Sequence, residues 1–107
     1  MKKNSIAKLS GKQKKYLRSL GHHLNQSVIV GKDGISDNLI QSCQDNLQAH
    51  ELIKIKLGQN CPIDKKEAAQ KLAASTGSHL VQLIGKTILL YKPNPDLGRD
   101  QAISLPR

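Results

Sequence analysis

The sequence predicts an α/β domain of order α-β-α-β-α-β-β, folded as a compact four-stranded mixed sheet with packed helices. Three observations carry that class. Short apolar runs alternate with stretches of helical period, the pattern of strands joined by crossover helices. Glycine or proline punctuates most junctions between them. The last two strand-like runs are separated only by Gly85-Lys86, a hairpin spacing that adds an antiparallel pair to otherwise parallel, right-handed connections.

Each element has its own justification. Ser10 caps a first helix that begins at Gly11 and runs through KQKKYLRSL, and Gly21 ends it as the residue past the last turn. Leu17 and Leu20, with Leu9 or Gln13 a turn earlier, give this helix a narrow apolar stripe. SVIV, at 27–30, is a continuous apolar run and predicts a strand buried on both faces. Ser36 caps the second helix, Asp37 favours its dipole, and Ile35 with Ile40 has the spacing of a hydrophobic staple. Leu39, Ile40, Cys43 and Leu47 then share one face at helical spacing.

ELIKIKL, at 51–57, alternates. Ile53, Ile55 and Leu57 point one way, Lys54 and Lys56 the other beside Leu52. Those lysines either blunt an edge strand against aggregation or join a basic surface. GQNCP is a loop, and Pro62 suits the first turn of a third helix, PIDKKEAAQKLAASTG, closed by Gly77. Ala68, Ala69, Ala73 and Ala74 around Leu72 predict close packing on a sheet. Residues 79–84 and 87–91 form the hairpin, and Pro93 and Pro95 stop the last strand. The organisation is a flexible basic arm at 1–8, a domain at 9–93 and an extended, loosely attached tail at 94–107.

Charge narrows the function. There are 17 Lys+Arg against 8 Asp+Glu, a formal +9, and Lys2, Lys3, Lys8, Lys12, Lys14, Lys15 and Arg18 all precede the first acid, Asp33. A solvated helix ordinarily mixes signs; a run of cations without acids attracts polyphosphate by Coulomb attraction and counterion release. The chain has no Phe, no Trp and 2 Tyr. That excludes a sheet of exposed aromatics on which bases stack. Contact with a nucleic acid would run through backbone amides, lysines and arginines aimed at phosphates and sugars.

No apolar stretch is long enough to cross a bilayer, and the basic N-terminus lacks the apolar core of a secretory signal. A cytoplasmic location is expected, with no membrane partner. Cys43 and Cys61 suit a reducing compartment, and they share no zinc-ligand spacing with His22, His23, His50 or His79. No metal and no cofactor is expected.

VGKDGIS, at 30–36, concentrates the remaining signal. A glycine loop between a strand and a helix N-terminus presents backbone amides to an anion, and glycines let a phosphate approach without side-chain obstruction. KH domains clamp a nucleic-acid backbone with a GxxG loop of this kind. The GxxxxGK[ST] and GxGxxG patterns of nucleotide-binding loops are absent.

The segment from LSGKQKKYLRSLG through VIVGKDG to HELIKIKL, followed by IGKTILLYKP and ISLPR, strongly resembles the CRM domain (chloroplast RNA splicing and ribosome maturation) in its stand-alone bacterial form. The resemblance covers nearly the whole chain from Leu9. It implies a fold similar to the C-terminal domain of translation initiation factor three. It also implies RNA binding with GKDG as the GxxG loop, and association with precursors of the large ribosomal subunit.

The expected protein is a monomeric, non-catalytic RNA binder that contacts structured ribosomal RNA and assists large-subunit assembly. Lys12, Lys14, Lys15 and Arg18 would contact phosphates from the first helix. The amides of Gly31, Lys32, Asp33 and Gly34 would clamp the backbone, with Asp33 limiting the charge of the loop. Lys54, Lys56 and Lys86 complete the candidate set, Lys86 also serving the hairpin turn. The alternatives are an RNA-processing enzyme, for which the eight acids form no evident metal-binding set, and a general basic module for nucleic acid or protein.

Overall fold

Local chemistry sets where the helices begin. The computed structural model describes residues 8–98 and 100–106, so the expected basic arm falls outside it apart from Lys8. In α1 (Gly11–Gly21) the Ser10 hydroxyl accepts from Gln13 N–H while the Gln13 side chain accepts from Ser10 N–H, a reciprocal capping box. In α2 (Asp37–His50) the Ser36 hydroxyl accepts from Leu39 N–H, as its position after the glycine loop predicts. α3 (Lys65–Thr76) departs from expectation. It starts three residues beyond Pro62, because the Asp64 carboxylate accepts from Lys66 and Glu67 N–H and caps it there. Gly77 ends α3 at φ 65, the left-handed conformation glycine adopts without penalty.

The strands are β1 (Val28–Val30), β2 (Leu52–Leu57), β3 (His79–Ile84) and β4 (Thr87–Tyr91), in the sheet order β1-β2-β4-β3. β1 and β2 are parallel; β2–β4 and β3–β4 are antiparallel. The mixed α/β class therefore holds, but only one helix crossover joins hydrogen-bonded neighbours. β4 folds back into the space beside β2 that a second parallel pairing would have used. Consequently β2 is interior, and its lysines protect no edge.

One sheet face packs on α2 and α3, burying Val28, Val30, Ile53, Ile55, Ile88 and Leu90 against Cys43, Leu47, Ala68, Ala69 and Leu72. The other face meets α1 through Leu52, Val81, Leu89 and Tyr91 against Leu9 and Leu17. β1 is an edge strand covered on one side only, so Ile29 is 62% exposed where the apolar run predicts burial on both faces. Gly21 is the last helical residue of α1 and not a left-handed cap. A Cβ there would lie 2.8 Å from Leu89 Cδ2, so the glycine lets α1 lie close on β4.

The tail is bound back onto the domain. Ile103 and Leu105 pack on the α1-side cluster, and Pro106 O accepts from Gln13 Nε2. The cause is Glu51, a buried acid between α2 and β2 whose two carboxylate oxygens accept from Asn94 N–H and Ile103 N–H, each at 2.6 Å. Glu51 holds φ 65, the one positive φ outside glycine among the described residues.

Cys43 is fully buried, and burial pushes its thiol up to about 11, whereas Cys61 is half-buried in the loop before α3. A thiolate-selective reagent should therefore label one cysteine rapidly in the native protein and the other only through unfolding. Cys61→Ser should remove the rapid phase; its persistence would contradict this burial.

Candidate nucleic-acid interface

Both parallel strands end on the same side of the molecule, and both following helices begin there. Ligands of open α/β sheets gather beyond the carboxyl ends of parallel strands, where helix N-termini offer N–H groups and positive dipole ends. The end is built from the GKDG loop after β1, the 58–64 loop after β2 and the Gly85-Lys86 turn. Gly34 packs beside Ile63, and Leu57 N–H donates to Lys86 O at 2.8 Å, tying the three loops together.

Within GKDG the glycines have different jobs. Gly34 N–H donates to Gly31 O at 3.0 Å, closing a turn over Lys32 and Asp33. Gly34 also takes φ 65, and a Cβ on it would lie 3.3 Å from Ile63 Cδ1. The fold alone accounts for it. Gly31 has an ordinary φ and nothing within 4 Å of a hypothetical Cβ, so no packing constraint accounts for a glycine there. Its bareness leaves an open approach to the turn. The amides of Lys32 and Asp33 have no hydrogen-bond acceptor among the described residues, while that of Gly34 is engaged in the turn. Lys32 and Asp33 are exposed at the tip.

The expected cations divide into groups. Lys12 and Lys15 stand on the solvent face of α1; Lys14 and Arg18, one turn apart, flank it toward β3. Lys14 helps depress the pKa of His79, although burial of that imidazole is the larger cause. His79 stacks on Tyr91, whose hydroxyl is shifted up by burial and then by the Glu51 charge. Lys56 projects from β2 into solvent, and Lys86 sits exposed on the hairpin turn.

Lys54 is different. Its ammonium donates to Gly21 O at 3.1 Å and Leu24 O at 3.5 Å, where α1 ends with unsatisfied carbonyls. Lys92 does the same for α3, donating to Thr76 O at 2.9 Å. Lys54 is thus a helix C-terminal brace and not, as expected, a cation held ready for a ligand.

Two cations at the loop end escaped the sequence reasoning. Lys65 and Lys66 occupy the first turn of α3, where positive charge opposes the helix dipole. Both are exposed, and Lys65 shares a hollow with Lys86 and Gly85. A lysine pair at a helix N-terminus is the available signal, obscured by Pro62, which draws the expected helix start upstream. Among the described residues, no three His, Cys, Asp or Glu side chains gather as a metal site, and no helix is long and apolar enough to cross a membrane.

Known proteins share this arrangement. The CRS1 / YhbY (CRM) domain family matches residues 9–92. The "Probable RNA-binding protein YqeI" of Bacillus subtilis is 46% identical over 98 residues, which is 92% of this chain and 99% of that protein. An "RNA-binding protein" of Haemophilus influenzae is 34% identical over 99 residues, 92% of this chain and 96% of that protein. The solution structure of hypothetical protein SAV1595 from Staphylococcus aureus superposes with a TM-score of 0.75 at 43% identity, over 92% of this chain and 100% of that chain. By family match, identity and fold together, the chain belongs to the CRS1 / YhbY (CRM) domain family.

Proposed function

We propose that this protein is a non-catalytic RNA-binding protein that engages structured ribosomal RNA and assists assembly of the large ribosomal subunit. The observation that carries the reading is the GKDG turn. It presents the amides of Lys32 and Asp33 and a sterically bare Gly31 at the N-terminus of α2, beside exposed Lys56, Lys65, Lys66 and Lys86. Backbone amides and lysines recognise phosphate, and the formal +9 supplies long-range attraction. The RNA-binding names carried by relatives of nearly the same length favour RNA over DNA. The protein acts in the cytoplasm as a monomer, since surfaces of one strong sign repel further copies.

The test is competition at physiological salt between precursor large-subunit RNA and duplex DNA of equal length. RNA should win by about tenfold or more, the scale of a few added contacts. Equal affinities would overturn the RNA assignment. Sedimentation of cell extract should place the protein with large-subunit precursors; a position entirely free of ribosomal particles would overturn the assembly role.

A further inference from the structure

Beyond the end of α1, part of the second sheet face is uncovered. Strand register draws one row straight across it. Ile29 of β1 pairs with Lys56 of β2, Lys56 with Thr87 of β4, and Thr87 with Ile84 of β3. Paired residues share a face, so all four side chains project to the same side. Ile29 and Ile84 are each 62% exposed and, with Tyr16, are the large hydrophobics left to solvent among the described residues. They stand about 14 Å apart, three strand spacings.

The row continues into the features already described. Ile29 lines the shallow depression around GKDG. Ile84 and Thr87 line a hollow of about 170 Å³ under the end of α1, together with Gln82, Arg18 and His22. The described strands carry no Asp or Glu on this face.

The geometry points to this row as a seat for unpaired RNA bases, a reading that rests on the RNA-binding function proposed above. Apolar, cation, hydroxyl, apolar is the order of chemistry along a splayed strand: base, phosphate, ribose, base. With no aromatic side chain on the row, a base would lie on the aliphatic flanks of Ile29 or Ile84. Gln82, Thr87 and Arg18 offer donors and acceptors to a base edge in the hollow. A neutral apolar protein surface would bury Lys56 without a counter-charge, which burial penalises. A strand held by GKDG and the α1 cations brings phosphates to that lysine.

The test compares an RNA hairpin with an unpaired loop against a fully paired RNA duplex, using the full chain and Ile29→Thr/Ile84→Thr. Threonine keeps the β-branching and removes the apolar flank, and both sites are exposed, so the melting midpoint should not move. The double variant should lose about five- to tenfold in affinity for the hairpin, the low end of base–side-chain contacts, and nothing for the duplex. An equal loss on both RNAs, or no loss on either, would overturn the base seat while leaving RNA binding standing. Failure of the unaltered chain to bind either RNA would defeat the functional reading itself, and the seat with it. A self-associating parent chain made monomeric by the double variant would assign the row to a second copy and overturn the proposal.

Discussion

Glu51→Ala should destabilise the domain by about 2–4 kcal/mol, because it removes two hydrogen bonds to a charged acceptor in a buried site. The Asn94 and Ile103 amides would lose their acceptors, and the tail would release Ile103 and Leu105 from the α1-side cluster. Chemical denaturation measures the loss, which corresponds to a fall in melting temperature of about 10 °C or more for a domain near this size. Limited proteolysis should cut the tail sooner in the variant. The backbone sharpens the test. Glu51 holds φ 65, a conformation that costs a non-glycine residue about 1–2 kcal/mol. Glu51→Gly should therefore recover about 1 kcal/mol relative to Glu51→Ala, yet leave the tail equally accessible to protease. If alanine and glycine variants were both as stable as the parent, the buried carboxylate would not be the latch.

That latch also marks where sequence reasoning stops. Ser10, Ser36, Gly77 and Gly85-Lys86 were legible because each acts on backbone groups a few residues away. Glu51 was not, since its partners lie 43 and 52 residues further along, and nothing local distinguishes it from a solvated acid. Gly21 failed for a related reason. A glycine after a helix satisfies the cap pattern, but here its missing side chain serves Leu89, on a strand that joins the sheet late in the chain. The candidate site divides in the same way. GKDG is contiguous and was found whole, though which glycine the turn consumes needed the Gly34–Gly31 hydrogen bond and the Ile63 contact. Lys54 and Lys56 are equivalent in an alternating run. Only the placement of the α1 carbonyls above β2 makes one a brace and leaves the other in solvent. The row from Ile29 to Ile84 was invisible because it is assembled by register between four strands whose order differs from the chain order.

Replacing Lys12, Lys14 and Lys15 together by alanine should weaken RNA binding by about one to two orders of magnitude near physiological salt. It should also flatten the plot of log affinity against log salt by about 2–3, if each lysine neutralises one phosphate. The fold should survive the change. Lys12 and Lys15 are exposed, the capping box lies upstream, and alanine is at least as good a helix former as lysine. The loss should be broad across RNA sequences, because phosphate contacts position a strand without identifying its bases. Two single variants separate competing causes. Lys32→Ala should shift the salt slope by about 1 at most, since one cation is removed and Asp33 beside it already offsets the loop's charge. Lys54→Ala should leave the slope unchanged and lower the melting temperature, because its ammonium holds the α1 carbonyls. An unchanged slope in the triple variant would remove α1 from the contact surface. RNA would then be held at the loop end alone, by GKDG with Lys56, Lys65, Lys66 and Lys86, and substitution of those four lysines would have to carry the whole salt dependence.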